Sequence, residues 1–152
     1  MHGGVLPRAG GRTVTRSWYV DSSVLLAIIY RQPGALDAGV LAPALTSVLT
    51  RVECLRSLDR RCLQGIISNQ EMVEGREYFY RMFRAVRVLG MDTPVFERAA
   101  GPISVPLKTL DAIHLATALQ WREDIEEEVT FATHDKGLAA AARAYGLPVV
   151  GV

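Results

Sequence analysis

Short β-prone apolar runs alternate along this chain with longer stretches whose apolar positions return every three or four residues. Residues 17–20 (Ser-Trp-Tyr-Val) form the first such run, and Asp21 and Ser22 then supply cap chemistry for a helix reaching about Tyr30, ended by Pro33-Gly34. Residues 44–46 follow Pro43 as a second short strand. Ser47 is read as the N-cap of a long helix whose apolar positions Val48, Val52, Leu55 and Cys62 recur at helical spacing. The helical pattern resumes over 71–86, with Tyr78, Phe79, Met82 and Phe83 as its apolar content, and 86–89 is strand-like. Thr93-Pro94 opens another helix in the favoured cap-then-proline order.

Glycine and prolines make 101–106 a loop, after which 109–121 is a helix apolar enough to be buried. A strand over 129–133, an alanine-rich helix over 136–145 stopped by Gly146, and a last strand over 148–152 complete the pattern. Strands separated by helices predict an α/β fold, a parallel sheet with helices on both faces.

At 152 residues, 49% of them hydrophobic, the chain has material for one well-buried domain and too little for two. No apolar run approaches the ~18 residues of a membrane span. Residues 1–17 hold Gly3, Gly4, Gly10 and Gly11 with Arg8, Arg12 and Arg16, and lack the apolar stretch of a signal peptide. They are expected to form a flexible extension before a domain over 18–152. Cys54 and Cys62 lie eight positions apart in one helical pattern, roughly 12 Å of rise. That exceeds the ~7 Å limit for a disulfide, and free thiols suit a reducing cytoplasm.

Four acids sit where a strand-like run gives way to a helix or just inside that helix: Asp21, Glu53, Asp111 and Asp135. In an open parallel sheet those positions converge at one edge, where ligands bind. Four carboxylates gathered there repel one another unless a hard cation neutralises them, so the pattern reads as a magnesium or manganese site for phosphodiester cleavage. The net charge of +1 hides an asymmetry: without these four, 12 acidic residues face 17 basic ones, leaving +5 elsewhere. Much of the remaining negative charge is the run Glu123, Asp124, Glu126, Glu127 and Glu128, readable as a solvated loop.

Each acid also has a simpler reading. Asp21 and Asp135 precede helices and suit N-caps, Glu53 is placed to pair with Arg56 or Arg60, and Asp111 complements a helix dipole. Small hydroxyl residues nevertheless lie beside several of them: Ser22 and Ser23, Thr46 and Ser47, and Thr133. Such groups can hold water or a phosphate oxygen without crowding it.

The segments Tyr19-Val20-Asp21-Ser22-Ser23, Thr46-Ser47 with Glu53, Leu110-Asp111-Ala112-Ile113-His114-Leu115-Ala116 and Thr133-His134-Asp135-Lys136-Gly137-Leu138 resemble, in order, the motifs of PIN-domain ribonucleases, above all the VapC-type toxins of toxin–antitoxin pairs. The resemblance covers residues 18–152. It implies a three-layer fold, a homodimer, a cognate antitoxin, and Mg²⁺- or Mn²⁺-dependent cleavage of single-stranded or looped RNA. By position it makes Asp21, Glu53, Asp111 and Asp135 the catalytic metal site, with Ser22 and Thr133 supporting it. Cys54 stands where the family more often has an aliphatic residue, and the tail before Trp18 is longer than usual.

His114, three residues after Asp111, and His134, beside Asp135, raise a transition-metal site that an acid-rich set does not favour. A haloacid dehalogenase-type phosphatase needs an aspartate two positions after the first, where this chain has Ser23. The other functional reading is a non-catalytic RNA- or protein-binding module of the same fold.

Overall fold

The computed structural model describes residues 16–152. Five strands, β1 (Ser17–Val20), β2 (Ala44–Ser47), β3 (Val86–Leu89), β4 (Val129–Ala132) and β5 (Val149–Val150), form one sheet in the order β3-β2-β1-β4-β5. All four pairings are parallel, with Tyr19 opposite Leu45 on one side and Phe131 on the other. The helices between them are α1 (Ser22–Ile29), α2 (Leu49–Leu63), α3 (Asn69–Phe83), α4 (Thr93–Ala100), α5 (Thr109–Ile125) and α6 (Lys136–Ala144). The α/β expectation and the five strands are therefore met. The proposed extension over 1–17 lies outside the described residues except at its end, where Ser17 opens β1 rather than belonging to a tail.

Side chains alternate across a strand, so neighbouring residues feed opposite faces of the sheet. Tyr19, Leu45 and Phe131 point into a core shared with Leu115 and Leu119 of α5 and Leu138 and Ala142 of α6. Val20, Ala44 and Ala132 point the other way, against Val24 and Leu25 of α1, Cys54 of α2, and Phe79 and Met82 of α3. Those two cores make the three layers.

Phe79 and Met82 are buried, and Tyr78 and Phe83 pack against the same cluster. The core thus takes up most of that row. The outer stripe on α2 also differs from the face the spacing selects. Val48 and Val52 are exposed, whereas Leu49, Cys54, Ser57 and Leu58 face inward. Both stripes satisfy helical periodicity, and contact with α1 and α3 decides between them. The Ser47 hydroxyl accepts from the Leu49 amide at 3.1 Å, although the helix itself begins two residues after Ser47.

Between α1 and β2 the chain makes a short 3₁₀ turn at Ala38–Leu41, a feature the sequence pattern does not announce. After β2 and β3 have built one side of the sheet, the chain returns through α4 and α5 to place β4 on the other side of β1. The reversal puts a topological switch point between β1 and β4, whose C-terminal ends are the position for a site in such a sheet. The acidic run before β4 is largely solvent-exposed as expected, but Glu123 and Asp124 belong to the end of α5 rather than to a loop, and several of the acids have surface partners. Glu123 pairs with Arg98, Asp124 accepts from Gln120, Glu127 accepts from Ser17, and Glu128 pairs with Arg16 at 3.3 Å.

Candidate active site

Asp21 leaves the end of β1 and is 3% exposed. Its Oδ1 accepts from the Ser23 hydroxyl at 2.5 Å and from the Val24 amide at 3.3 Å, and its Oδ2 accepts from the Thr133 hydroxyl at 2.6 Å. It is both the N-cap of α1 and the acid at the switch point, so the two sequence readings are compatible. Burial pushes its carboxyl above the usual range, and the Ser23 and Thr133 donors draw it partly back. The hydroxyl that reaches it belongs to Ser23, not to Ser22. Ser22 offers only its backbone carbonyl, to the Cys54 thiol. Both serines follow Asp21 in sequence, and only the helical turn selects the second.

Thr133, fully buried just after β4, joins two segments through one oxygen. It donates to Asp21 and accepts the Asp135 amide at 3.0 Å. Asp135 caps α6 by accepting the Leu138 amide on Oδ1 at 2.8 Å, and is otherwise exposed. Thr46 and Ser47 are taken up structurally instead. The Thr46 hydroxyl donates to the Val20 carbonyl at 2.6 Å and tethers Thr50 of α2 to β1.

Glu53 pairs with neither Arg56 nor Arg60. Arg56 binds Asp59 at 2.7 Å, while Glu53 Oε1 lies 2.5 Å from Nε2 of the buried His114. His134 is also committed, its Nδ1 donating to the Gly151 carbonyl at 2.7 Å and its Nε2 accepting the Leu36 amide at 3.4 Å. Neither imidazole is thus free to ligate a transition metal.

Asp111, in the first turn of α5, is half-buried and takes no hydrogen bond among the described residues. Its carboxyl is raised above the usual range, first by burial, then by the charge of Asp135, and further by Asp21 and Glu53, with His114 opposing. The four acids, from four separate segments, are therefore close enough for the other three to be felt at Asp111. Among the described residues no three His, Cys, Asp or Glu side chains converge tightly enough to enclose an ion unaided. Protein donors already hold Asp21, Glu53 and Asp135, while the oxygens of Asp111, Oε2 of Glu53 and Oδ2 of Asp135 take none. Such an open, all-oxygen set suits a hard cation that keeps several of its waters.

The family model described as PIN domain matches residues 18–144, a span that carries all four acids. Ribonuclease VapC46 of Mycobacterium tuberculosis is 30% identical over 137 residues, covering 87% of this chain and 95% of that protein. In fold, the chain is similar to FitAcB from Neisseria gonorrhoeae, with a TM-score of 0.62 at 19% identity over 87% of this chain and 95% of that one. A toxin–antitoxin complex from Klebsiella pneumoniae gives a TM-score of 0.58 at 21% identity, covering 87% and 94%. A parallel sheet with its acids at the switch point and a model match over most of its length agree: the chain belongs to the PIN domain family.

Proposed function

We propose that this chain is an endoribonuclease dependent on Mg²⁺ or Mn²⁺, cutting single-stranded or looped RNA as the toxin of a toxin–antitoxin pair. The observation that carries the reading is Asp111, a half-buried carboxylate with no hydrogen-bonding partner among the described residues, facing the charge of Asp135, Asp21 and Glu53. Fold maintenance gives no reason to gather four like charges there, and cation binding does. Kinship to ribonuclease VapC46 supports RNA as the substrate class.

In this reading Asp111, Glu53 and Asp135 offer their open oxygens to the ion, and Asp21 joins them by releasing a hydroxyl partner. A bound divalent ion supplies water activation and neutralises charge developing on the phosphate. Ser23 and Thr133 hold the buried Asp21 carboxylate in place. Lys108 and Lys136, both exposed and adjacent in sequence to the site segments, meet incoming phosphates. Exposed loops are preferred because A-form duplexes hide base edges and strand.

An antitoxin that blocks such a site has an apolar foothold beside it. Val52, 57% exposed, precedes Glu53 on α2, and Val48, 37% exposed, stands at the N-cap of that helix. A homodimer is part of the same proposal.

The test is cleavage of a fluorescent looped RNA. Activity should require Mg²⁺ or Mn²⁺, vanish in EDTA, and fall at least 100-fold in Asp111→Asn, a loss expected for a group holding the ion. Binding without cutting in magnesium would assign the chain to the non-catalytic module instead.

A further inference from the structure

We infer that His114, backed by Tyr19, is a positioning residue that aims the Glu53 carboxylate at the acidic site. The inference rests on the reading of Glu53 as a site acid. Tyr19 is fully buried on β1 and His114 is 1% exposed on α5. The Tyr19 hydroxyl lies 2.7 Å from His114 Nδ1, and His114 Nε2 lies 2.5 Å from Glu53 Oε1.

Both ring nitrogens are thereby used, and the direction of the chain of bonds follows. A carboxylate oxygen only accepts, so Nε2 carries a proton and donates it. A neutral ring then has Nδ1 bare, to accept from the Tyr19 hydroxyl. No buried positive charge is needed. The Tyr19 ring is itself fixed by stacking on Phe131 and by its edge contact with the imidazole.

The three residues come from three of the four segments around the site. Tyr19 stands two residues before Asp21, and His114 stands one helical turn after Asp111 on the same face of α5. Glu53 differs from the other acids in its support. Asp21 and Asp135 are fixed by caps and hydroxyls, whereas Glu53, the fifth residue of α2, takes no hydrogen bond from a backbone amide among the described residues. Without His114 its three side-chain torsions are unrestrained. With it, Oε1 is tied and Oε2 is left for the site. A buried histidine in an apolar helix is otherwise an expensive choice, since leucine fills such a position without hydrogen bonds to satisfy.

Removing such an outer hydrogen bond typically costs about 10- to 100-fold in metal affinity or activity. His114→Leu should therefore lower kcat for RNA cleavage by about that factor with little change in KM, and weaken Mn²⁺ binding in a titration without RNA. His114→Gln, whose amide can both accept from Tyr19 and donate to Glu53, should restore most of both. Long-range ¹⁵N–¹H spectra of the metal-free wild type should show Nε2 protonated. The inference is overturned if Nε2 is bare, or if His114→Leu folds and binds Mn²⁺ like wild type. It is also overturned if His114→Gln, correctly folded, is no better than His114→Leu. The spectra and the Mn²⁺ titration need no RNA cleavage, so a wild type without ribonuclease activity defeats the proposed function while these readouts still judge the relay.

Discussion

At the scale of single residues, the acids divide by how their charge is tolerated. Asp21 has three donors, Glu53 has His114, and Asp135 has a helix amide, whereas Asp111 has no hydrogen-bond donor among the described residues and three other acids near enough to raise its carboxyl. Neutralising Asp111 relieves repulsion and gives up about 0.3–1 kcal/mol of interaction with the start of α5. In EDTA near neutral pH we expect Asp111→Asn to melt at or above the wild-type temperature, and added magnesium to raise the wild-type Tm more than the mutant's. A clearly destabilised mutant beside a wild type indifferent to metal would mean that the acids serve only as helix supports. The pH dependence has a definite sign. Asp21 and Asp111 hold their protons more tightly when folded than at the ordinary 3.8. The metal-free fold is therefore best favoured by these groups below that pH, and loses that contribution as pH rises through their raised values. Tm measured in EDTA from pH 4 upward should fall less steeply for Asp111→Asn than for wild type.

At the scale of elements, the site depends on α2 being seated at a fixed height, because Glu53 rides on it. α3 begins with a full capping box, Ser68 accepting the Glu71 amide while Glu71 accepts the Ser68 amide, and it packs on α2 through Gly75. A Cβ at Gly75 falls 2.7 Å from Cδ2 of Leu58, itself 1% exposed. Alanine gains about 1 kcal/mol of helix propensity there, but overpacking a filled contact costs about 1–3 kcal/mol. Gly75→Ala should therefore lose on the order of 1 kcal/mol in urea unfolding. A stabilised variant would show that Leu58 has room to yield and that the α2–α3 spacing is not set by this glycine.

Across the whole molecule, the exposed apolar side chains among the described residues include Leu63, Ile66, Phe96 and Leu110 as well as Val48 and Val52, and the last two lie at the start of the helix that carries Glu53. The fold makes little use of Val52, which is 57% exposed, and in the proposed complex it is an antitoxin contact. Val52→Lys should leave stability within about 0.5 kcal/mol of wild type and keep ribonuclease activity. It should also release the antitoxin during co-purification from a strain expressing both proteins. Retention of the partner by this variant would move the contact off α2.

The sequence by itself determined the five strands, their order along the chain and their alternation with helices, because period-two and period-3.6 patterns are local and glycine and proline mark their ends. It also picked out Asp21, Glu53, Asp111 and Asp135, since acids at strand-to-helix junctions are visible without knowing what lies opposite. Tertiary structure decided what local periodicity leaves equal. It turned Val48 and Val52 outward and Cys54 and Leu58 inward, with Leu55 partly buried between them, because α1 and α3 cover that inner side. It sank Phe79 and Met82 into the core, chose Ser23 over Ser22 for Asp21, and drew His114 between Tyr19 and Glu53. These last contacts join residues 61 and 95 positions apart, and a hydrogen bond across such separations exists only once the sheet has brought its helices together.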